Sequence, residues 1–288
     1  MSDNTSNRMS WPACPEQLSL EQIGDFRENG FLAFNDGLDA QEVEQARENL
    51  SRLVRETARH CKATADANQR NLSHPGSDCF VQFEQGVDVA SLSDAELELS
   101  VRKLAWYCSA DPVLDKMSLK HARVRGVLDS LLGPDAIRFQ DMALVKPPKI
   151  GSIKPWHQDN AYFSVVPLDQ IVGVWIALDD ATIDNGCMHV IPKGHLDGAR
   201  KHYHDRDCEI VPDRIDASLA VPIELKAGGI LFFYGMLPHQ TPPNTTDFRR
   251  RALQWHYRGA DSVTTSQKDY DAIFAESDGT PASCQAAE

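Results

Sequence analysis

Between residues 39 and 60 the apolar positions Val43, Ala46, Leu50, Leu53 and Val54 recur three and four apart, with arginine and glutamate between them. That is the spacing of one apolar helix face. Upstream, Ser19 followed by Gln22 is a capping-box pattern, which opens a short helix that Asn29-Gly30 should end. Phe31-Leu32-Ala33-Phe34 then reads as a short buried strand. Residues 61–90 carry Asn, Ser, Gly, Pro and Asp without a period, so an irregular segment is expected there, one able to wall a site. Residues 93–106 and 113–132 read as two further helices, the second stopped by Gly133-Pro134.

Beyond Pro134 the pattern shortens. Residues 136–146, 170–180, 188–192, 209–211, 219–225, 229–234 and 250–258 are brief β-branched or aromatic runs between Gly, Pro, Asn and Asp clusters. Helices first and many short strands after predict a mostly β fold, a double-sheet core buttressed by the amino-terminal helices. The expected division is a flexible lead over 1–18, a single domain over 19–262 and a carboxy-terminal extension over 263–288 that should fray. Within the domain, the chain is expected to be helical to about 134, with the β core at 135–260.

Composition narrows the functions open to such a fold. Among 288 residues, 29 basic and 42 acidic side chains leave a formal net charge of −13. Such a chain is repelled by polyphosphate and by anionic lipid, so neither nucleic acid nor membrane is an expected partner, and any basic site must be local. No apolar run of membrane-spanning length occurs, and Met1 to Ser10 lack a secretory pattern, so a soluble, cytoplasmic protein is expected. The seven cysteines are scattered with no C-x-x-C pair, which suggests neither a disulfide framework nor a thiolate zinc site.

The chemistry concentrates in Lys154-Pro155-Trp156-His157-Gln158-Asp159-Asn160. Alternation along a strand turns His157 and Asp159 to the same side, offering two metal ligands from three residues. His239, just after the run Gly229 to Tyr234, is a candidate third ligand. Two histidines and one carboxylate form the facial triad of non-haem iron(II) oxygenases, which leaves coordination positions open for O₂ and organic ligands. An H-x-D triplet alone is weak. The strand at 250–258 strengthens it: Leu253, Trp255 and Tyr257 share one face, and Arg250, Ala252, Gln254 and His256 share the other. The second face is odd for a core and natural for a lumen that binds an anion. The planar fork of Arg250 suits a carboxylate.

These blocks, together with Val145-Lys146-Pro147-Pro148, Tyr162-Phe163, the run Val174 to Ala181, Asn185-Gly186-Cys187 and Ile191-Pro192-Lys193-Gly194-His195, resemble the phytanoyl-CoA dioxygenase family over roughly residues 20–260. The resemblance implies a double-stranded β-helix, or cupin-like jelly roll. It further implies Fe(II) on His157, Asp159 and His239, and 2-oxoglutarate as cosubstrate with its distal carboxylate on Arg250. O₂-dependent hydroxylation of a C–H bond in a small organic molecule would release succinate and CO₂. Family position also places Trp175, Met142, Thr241, Lys103 and Gln158 against 2-oxoglutarate. Trp175 and Met142 suit a core equally well, and Lys103, expected on a helix, suits a solvated surface. Strand alternation turns Gln158 away from the metal. In related halogenating enzymes a small residue replaces the carboxylate; Asp159 is present, which favours hydroxylation.

Two other readings stay open. A cupin-like isomerase or hydrolase would use the same triad with zinc or manganese, and a non-catalytic protein would keep the pocket as scaffold. A rival polar cluster, His195, His202, His204, Asp205 and Asp207, lies in a charged stretch that reads as a solvated loop. Neither the substrate nor the oligomeric state is legible.

Overall fold

A computed structural model describes residues 10–63, 70–204 and 207–275, and among them sixteen strands and six α-helices form where apolar residues can be buried on neighbouring elements. In chain order the strands are β1 (Phe31–Phe34), β2 (Asn71–Ser73), β3 (Phe80–Phe83), β4 (Val101–Ala105), β5 (Ile137–Lys146), β6 (Lys154–His157), β7 (Val165–Val166) and β8 (Ile171–Ala177). They continue as β9 (Met188–Val190), β10 (His202–His204), β11 (Cys208–Ile210), β12 (Val221–Ile223), β13 (Ile230–Tyr234), β14 (His239–Thr241), β15 (Arg250–Arg258) and β16 (Val263–Thr264). The α-helices are α1 (Leu20–Asn29), α2 (Ala40–Ala63), α3 (Asp94–Glu98), α4 (Pro112–Lys120), α5 (Ala122–Leu132) and α6 (Gln267–Phe274).

Two antiparallel sheets form the jelly roll. The larger has the order β1-β13-β8-β15-β5-β4-β3-β2 and the smaller β12-β9-β14-β6. Central β15 pairs with β5 on one side and β8 on the other, so Gln254 stands between Met142 and Trp175. Its alternation sorts the chain into layers. Leu253, Trp255 and Tyr257 join Val43, Leu50, Leu53, Leu114 and Leu128 in the core beneath the helices. Ala252 joins Trp175, Phe233, Met188 and Val190 between the sheets. Each large side chain fully buried this way contributes about 1.5–3 kcal/mol, and Trp255 adds an Nε1–H bond to the Tyr107 hydroxyl.

Several local expectations are met. Ser19 and Gln22 form the reciprocal cap of α1, which ends at Gly30 in a left-handed conformation, φ 86°. The run at 250–258 is β15.

Other expectations need correcting. Residues 93–106 are not one helix: α3 begins on the Ser93–Glu96 capping box but stops after one turn, and the chain becomes β4. Pairing of Lys103 with Leu144 and of Leu104 with Ala143 decides this, and a five-residue run with Arg102 and Lys103 at its centre carries no local signal for it. Residues 113–132 break into α4 and α5 at extended His121, φ −64° and ψ 124°. The irregular segment contains β2 and β3, which extend the large sheet.

The two ends of the chain are also tied down further than expected. Trp11 donates to the Glu224 carbonyl, and Cys14 and Leu18 are buried. In the extension, β16 pairs with β7, and α6 buries Tyr270 and Phe274. Residues 276–288 lie outside the described residues. Cys208 is disulfide-bonded, although the scattered cysteines suggested no disulfide framework. No helix among the described residues is long and apolar enough to cross a membrane.

Candidate functional site

His157 ends β6 and His239 begins β14, and these strands pair so that the two histidines are direct cross-strand partners. Asp159 opens a short 3₁₀ turn rather than continuing the strand, but Gln158 before it is extended, φ −112° and ψ 130°, so His157 and Asp159 still face one way. One ligand atom from each of the three residues falls in a group whose members all lie within 4.8 Å of one another, and all three residues are buried.

Hydrogen bonding fixes the state of each donor. His157 Nδ1 lies 2.8 Å from the Pro155 carbonyl oxygen, and His239 Nδ1 lies 2.9 Å from that of Leu237. A carbonyl only accepts, so each Nδ1 carries the proton and each Nε2 turns a lone pair inward. Asp159 Oδ1 sits between them, 3.2 Å from His157 Nε2 and 3.5 Å from His239 Nε2. Burial pushes His239 down to about 3, with His157 adding to the effect, so its ring is neutral at working pH. Burial would raise Asp159, but His239, His256 and its hydrogen bonds outweigh that and hold the carboxylate ionised. Two lone pairs and an anionic oxygen converge without a cation among them, an arrangement that fits an octahedral divalent metal such as iron(II).

One member of the site escapes the sequence reading. His256 Nε2 lies 2.7 Å from Asp159 Oδ2, so the carboxylate presents Oδ1 to the metal position while His256 holds the other oxygen. The lumen face shared with Arg250 was the available signal, but nothing in the sequence specified a partner for this ring.

Arg250 is 1% exposed. It donates once, to the Leu144 carbonyl, and its Nε is buried without a partner. Among the described residues no carboxylate pairs with it, and burial lowers it only to about 10, so it remains a cation. Trp175, whose ring centroid lies 5.2 Å from the guanidinium, also leaves its buried Nε1 without a partner. A carboxylate would satisfy both groups, so this pocket fits one end of a dicarboxylate.

The remaining candidates divide by placement. Met142 shares a cross-strand row with Gln254 and Trp175, on the lumen side. Thr241, buried, ends β14 one strand from Lys154. Lys103 lies on β4 beside Leu144, and not on a surface helix; burial pushes it down to about 8, with nearby Lys154 adding to that. Gln158 points away: its amide donates to the Gly198 carbonyl and accepts from Arg200 N–H, which fastens the loop after β9, and it also donates to the Met236 carbonyl between β13 and β14.

The solvated-loop reading of 198–207 also fails in part. His202 is buried in the β10–β11 hairpin and accepts from Gln158 N–H at 3.0 Å. Asp207 binds Lys154 at 2.6 Å and Arg102 at 3.0 Å. Lys154 also donates to the Tyr162 hydroxyl, and the Tyr162 ring packs edge-on against His157. Asp205 lies outside the described residues. The flanks of the basic run Arg249-Arg250-Arg251 find carboxylates, Arg249 on Glu98 and Arg251 bidentate on Asp179.

Comparison with known proteins agrees with this geometry. The family model described as phytanoyl-CoA dioxygenase (PhyH) matches residues 26–252. The chain is similar to phytanoyl-CoA dioxygenase domain-containing protein 1 of Danio rerio, with 26% identity over 274 residues, 88% of this chain and 94% of that protein. It is also similar to phytanoyl-CoA dioxygenase 1 of Oryza sativa subsp. japonica, with 29% identity over 265 residues, 88% of this chain and 93% of the relative. Among solved structures, EvdO2 from Micromonospora carbonacea var. aurantiaca complexed with 2-oxoglutarate superposes with a TM-score of 0.64 at 23% identity, covering 90% of this chain and 98% of that one.

Proposed function

The chain belongs to the phytanoyl-CoA dioxygenase family, whose members are non-haem iron, 2-oxoglutarate-dependent oxygenases, and from that premise we propose that it hydroxylates a C–H bond of a small organic molecule, with 2-oxoglutarate converted to succinate and CO₂. The observation that carries this reading is the pairing of two sites in one lumen: a buried His157, Asp159, His239 cluster, and a buried Arg250 with no counter-charge.

His157 and His239 would hold the iron through Nε2, and Asp159 through Oδ1. Bound there with 2-oxoglutarate, the metal supplies the activation of O₂ that no amino-acid side chain can provide. Every other task falls to the chain. Arg250 would bind the far carboxylate of 2-oxoglutarate, and its burial strengthens that bond because no water competes. Trp175 and Met142 would form the wall along which the cosubstrate lies, with the Thr241 hydroxyl and the Lys103 ammonium as further polar contacts. Gln158 acts indirectly, by fastening the chain after Gly198 to the metal-bearing turn.

Aromatic side chains keep water from the metal position. The Phe233 ring stands 4.9 Å from that of His239, and it fits because Gly173 opposite has no side chain: a Cβ there would overlap the ring. Such exclusion limits turnover without substrate.

The test is the stoichiometry of 2-oxoglutarate turnover. Succinate should form only with iron(II) and O₂ present, and a true substrate from a panel of small organic molecules should raise its rate and gain one oxygen atom. Isomerisation or hydrolysis of a panel compound without succinate would support the cupin-like alternative instead.

A further inference from the structure

Gln254 lies in the middle of β15, on the face it shares with Arg250 and His256, and its direct cross-strand partners are Met142 on β5 and Trp175 on β8. It is 5% exposed, so the side chain is enclosed between the sheets yet keeps some free surface.

Two contacts fix where its amide stands. The Arg250 guanidinium lies 5.2 Å from the centre of the Trp175 ring, and Trp175 is the neighbour of Gln254 in the sheet, which brings the cation to this row. On the other side Gln254 Nε2 stands 3.3 Å from His256 Nε2, which lies 2.7 Å from Asp159 Oδ2. One primary amide therefore separates the anion anchor from the carboxylate of the metal triad. A molecule that spans the two runs past it.

The bond to Asp159 decides which end of the amide faces which way. A carboxylate oxygen accepts, so His256 Nε2 carries a proton. Two N–H groups do not bond one another, and the only acceptor a primary amide has is its oxygen. The two ends of the amide are alike in size and exchange by a half-turn about one bond, so hydrogen bonding chooses between them. The bonded state puts the oxygen on His256 and turns the NH2 into the lumen. Among the described residues the Gln254 side chain makes no hydrogen bond other than the one to His256, so that NH2 has no protein acceptor. A lumen donor beside a buried arginine suits an anion rich in acceptors.

We propose that Gln254 is a further cosubstrate-binding residue: its NH2 donates to 2-oxoglutarate, while its oxygen shares the His256 N–H with Asp159. The inference rests on the oxygenase reading above and adds to it a residue that ties the cosubstrate to the carboxylate of the metal triad.

The experiment separates a cosubstrate contact from mere support of His256. Gln254→Met keeps the length of the side chain and deletes both donor and acceptor. Gln254→Glu deletes the donor but keeps an acceptor for His256. Iron(II) affinity is measured first, with a coloured chelator as competitor. Then 2-oxoglutarate is titrated into the iron-loaded proteins without oxygen and read by the visible charge-transfer band. Gln254→Met should bind 2-oxoglutarate about ten- to hundredfold more weakly than wild type, the loss that follows deletion of one hydrogen bond to a charged group. Gln254→Glu should be weaker still, because it opposes the anion, while retaining the iron(II) affinity of wild type. Wild-type affinity for 2-oxoglutarate in Gln254→Met overturns the proposal, since the amide then touches no cosubstrate. Recovery of that affinity in Gln254→Glu overturns it too, since only the acceptor for His256 then matters. Both results leave the oxygenase reading intact. A wild type that takes up iron(II) but develops no band with 2-oxoglutarate overturns that reading and the proposal together.

Discussion

His256 Nε2 lies 2.7 Å from Asp159 Oδ2, while Asp159 Oδ1 faces both His157 and His239. The carboxylate is thereby split between two tasks, and its orientation toward the metal position depends on a ring that is not itself a ligand. Partners of this kind commonly contribute ten- to hundredfold in metal affinity. His256→Phe keeps an aromatic ring but deletes the bond, and its iron(II) dissociation constant should rise by about tenfold to a hundredfold. Competition with a coloured chelator measures this; equal affinities in the two proteins would show that the contact is incidental.

Arg250 leads to a second expectation. Its guanidinium is buried without a carboxylate, so removing it takes away the charge that awaits the cosubstrate. Arg250→Leu should weaken 2-oxoglutarate binding by about 2–5 kcal/mol, or roughly thirty- to several-thousand-fold. Arg250→Lys should recover only part of that, because a point charge does not reproduce the fork. Titration of 2-oxoglutarate into the anaerobic iron-loaded protein distinguishes these outcomes; near-equal affinity for wild type and Arg250→Leu would place the distal carboxylate elsewhere.

A third concerns packing. Gly173 lacks the Cβ that would overlap Phe233, and Phe233 in turn packs against His239. Gly173→Ala should cost about 1–3 kcal/mol of stability, as overpacked cores do. Urea denaturation of the metal-free protein reads this as a lower midpoint at unchanged slope. A midpoint within error of wild type would mean that the ring has room to move.

The fourth is a pH dependence. Burial, with Arg250 nearby, pushes the Lys146 ammonium down to about 6, whereas an unfolded lysine titrates near 10.4. Between those values the unfolded chain binds the extra proton, so this residue makes stability rise with pH from about 6 to about 10, by up to ~1.4 kcal/mol per unit. Below about 6 both states are protonated and its contribution is flat, at its least favourable. Lys146→Met should remove that slope, and denaturation midpoints taken at intervals from pH 6.5 to 9 would reveal it. Parallel curves for the two proteins would show that Lys146 is not the source.

What the sequence revealed, and what it hid, follows from the range of the interactions. β15 was legible because nine residues of alternation separate the Trp255 face from the Arg250 face without reference to any partner. The metal triad was legible because two of its members are two residues apart. β4 was hidden because Val101–Ala105 is too short for its period to tell, and its identity is settled by pairing with β5 some forty residues later. His202 was masked in the sequence by the charged residues around it, but its ring turns inward to accept from Gln158 N–H. His256 was on the correct face from the start, but its role is a contact with Asp159, ninety-seven positions away, which only the closed barrel creates.

The central claim is that His157, Asp159 and His239 bind iron and that Arg250 completes a site for 2-oxoglutarate beside it. Its most direct test is optical: iron(II) and 2-oxoglutarate are added to the protein under anaerobic conditions and the visible spectrum is recorded. The wild type should develop the metal-to-ligand charge-transfer band of a chelated 2-oxo acid, and His239→Ala should not. A folded, iron-loaded wild type that shows no such band would contradict the account.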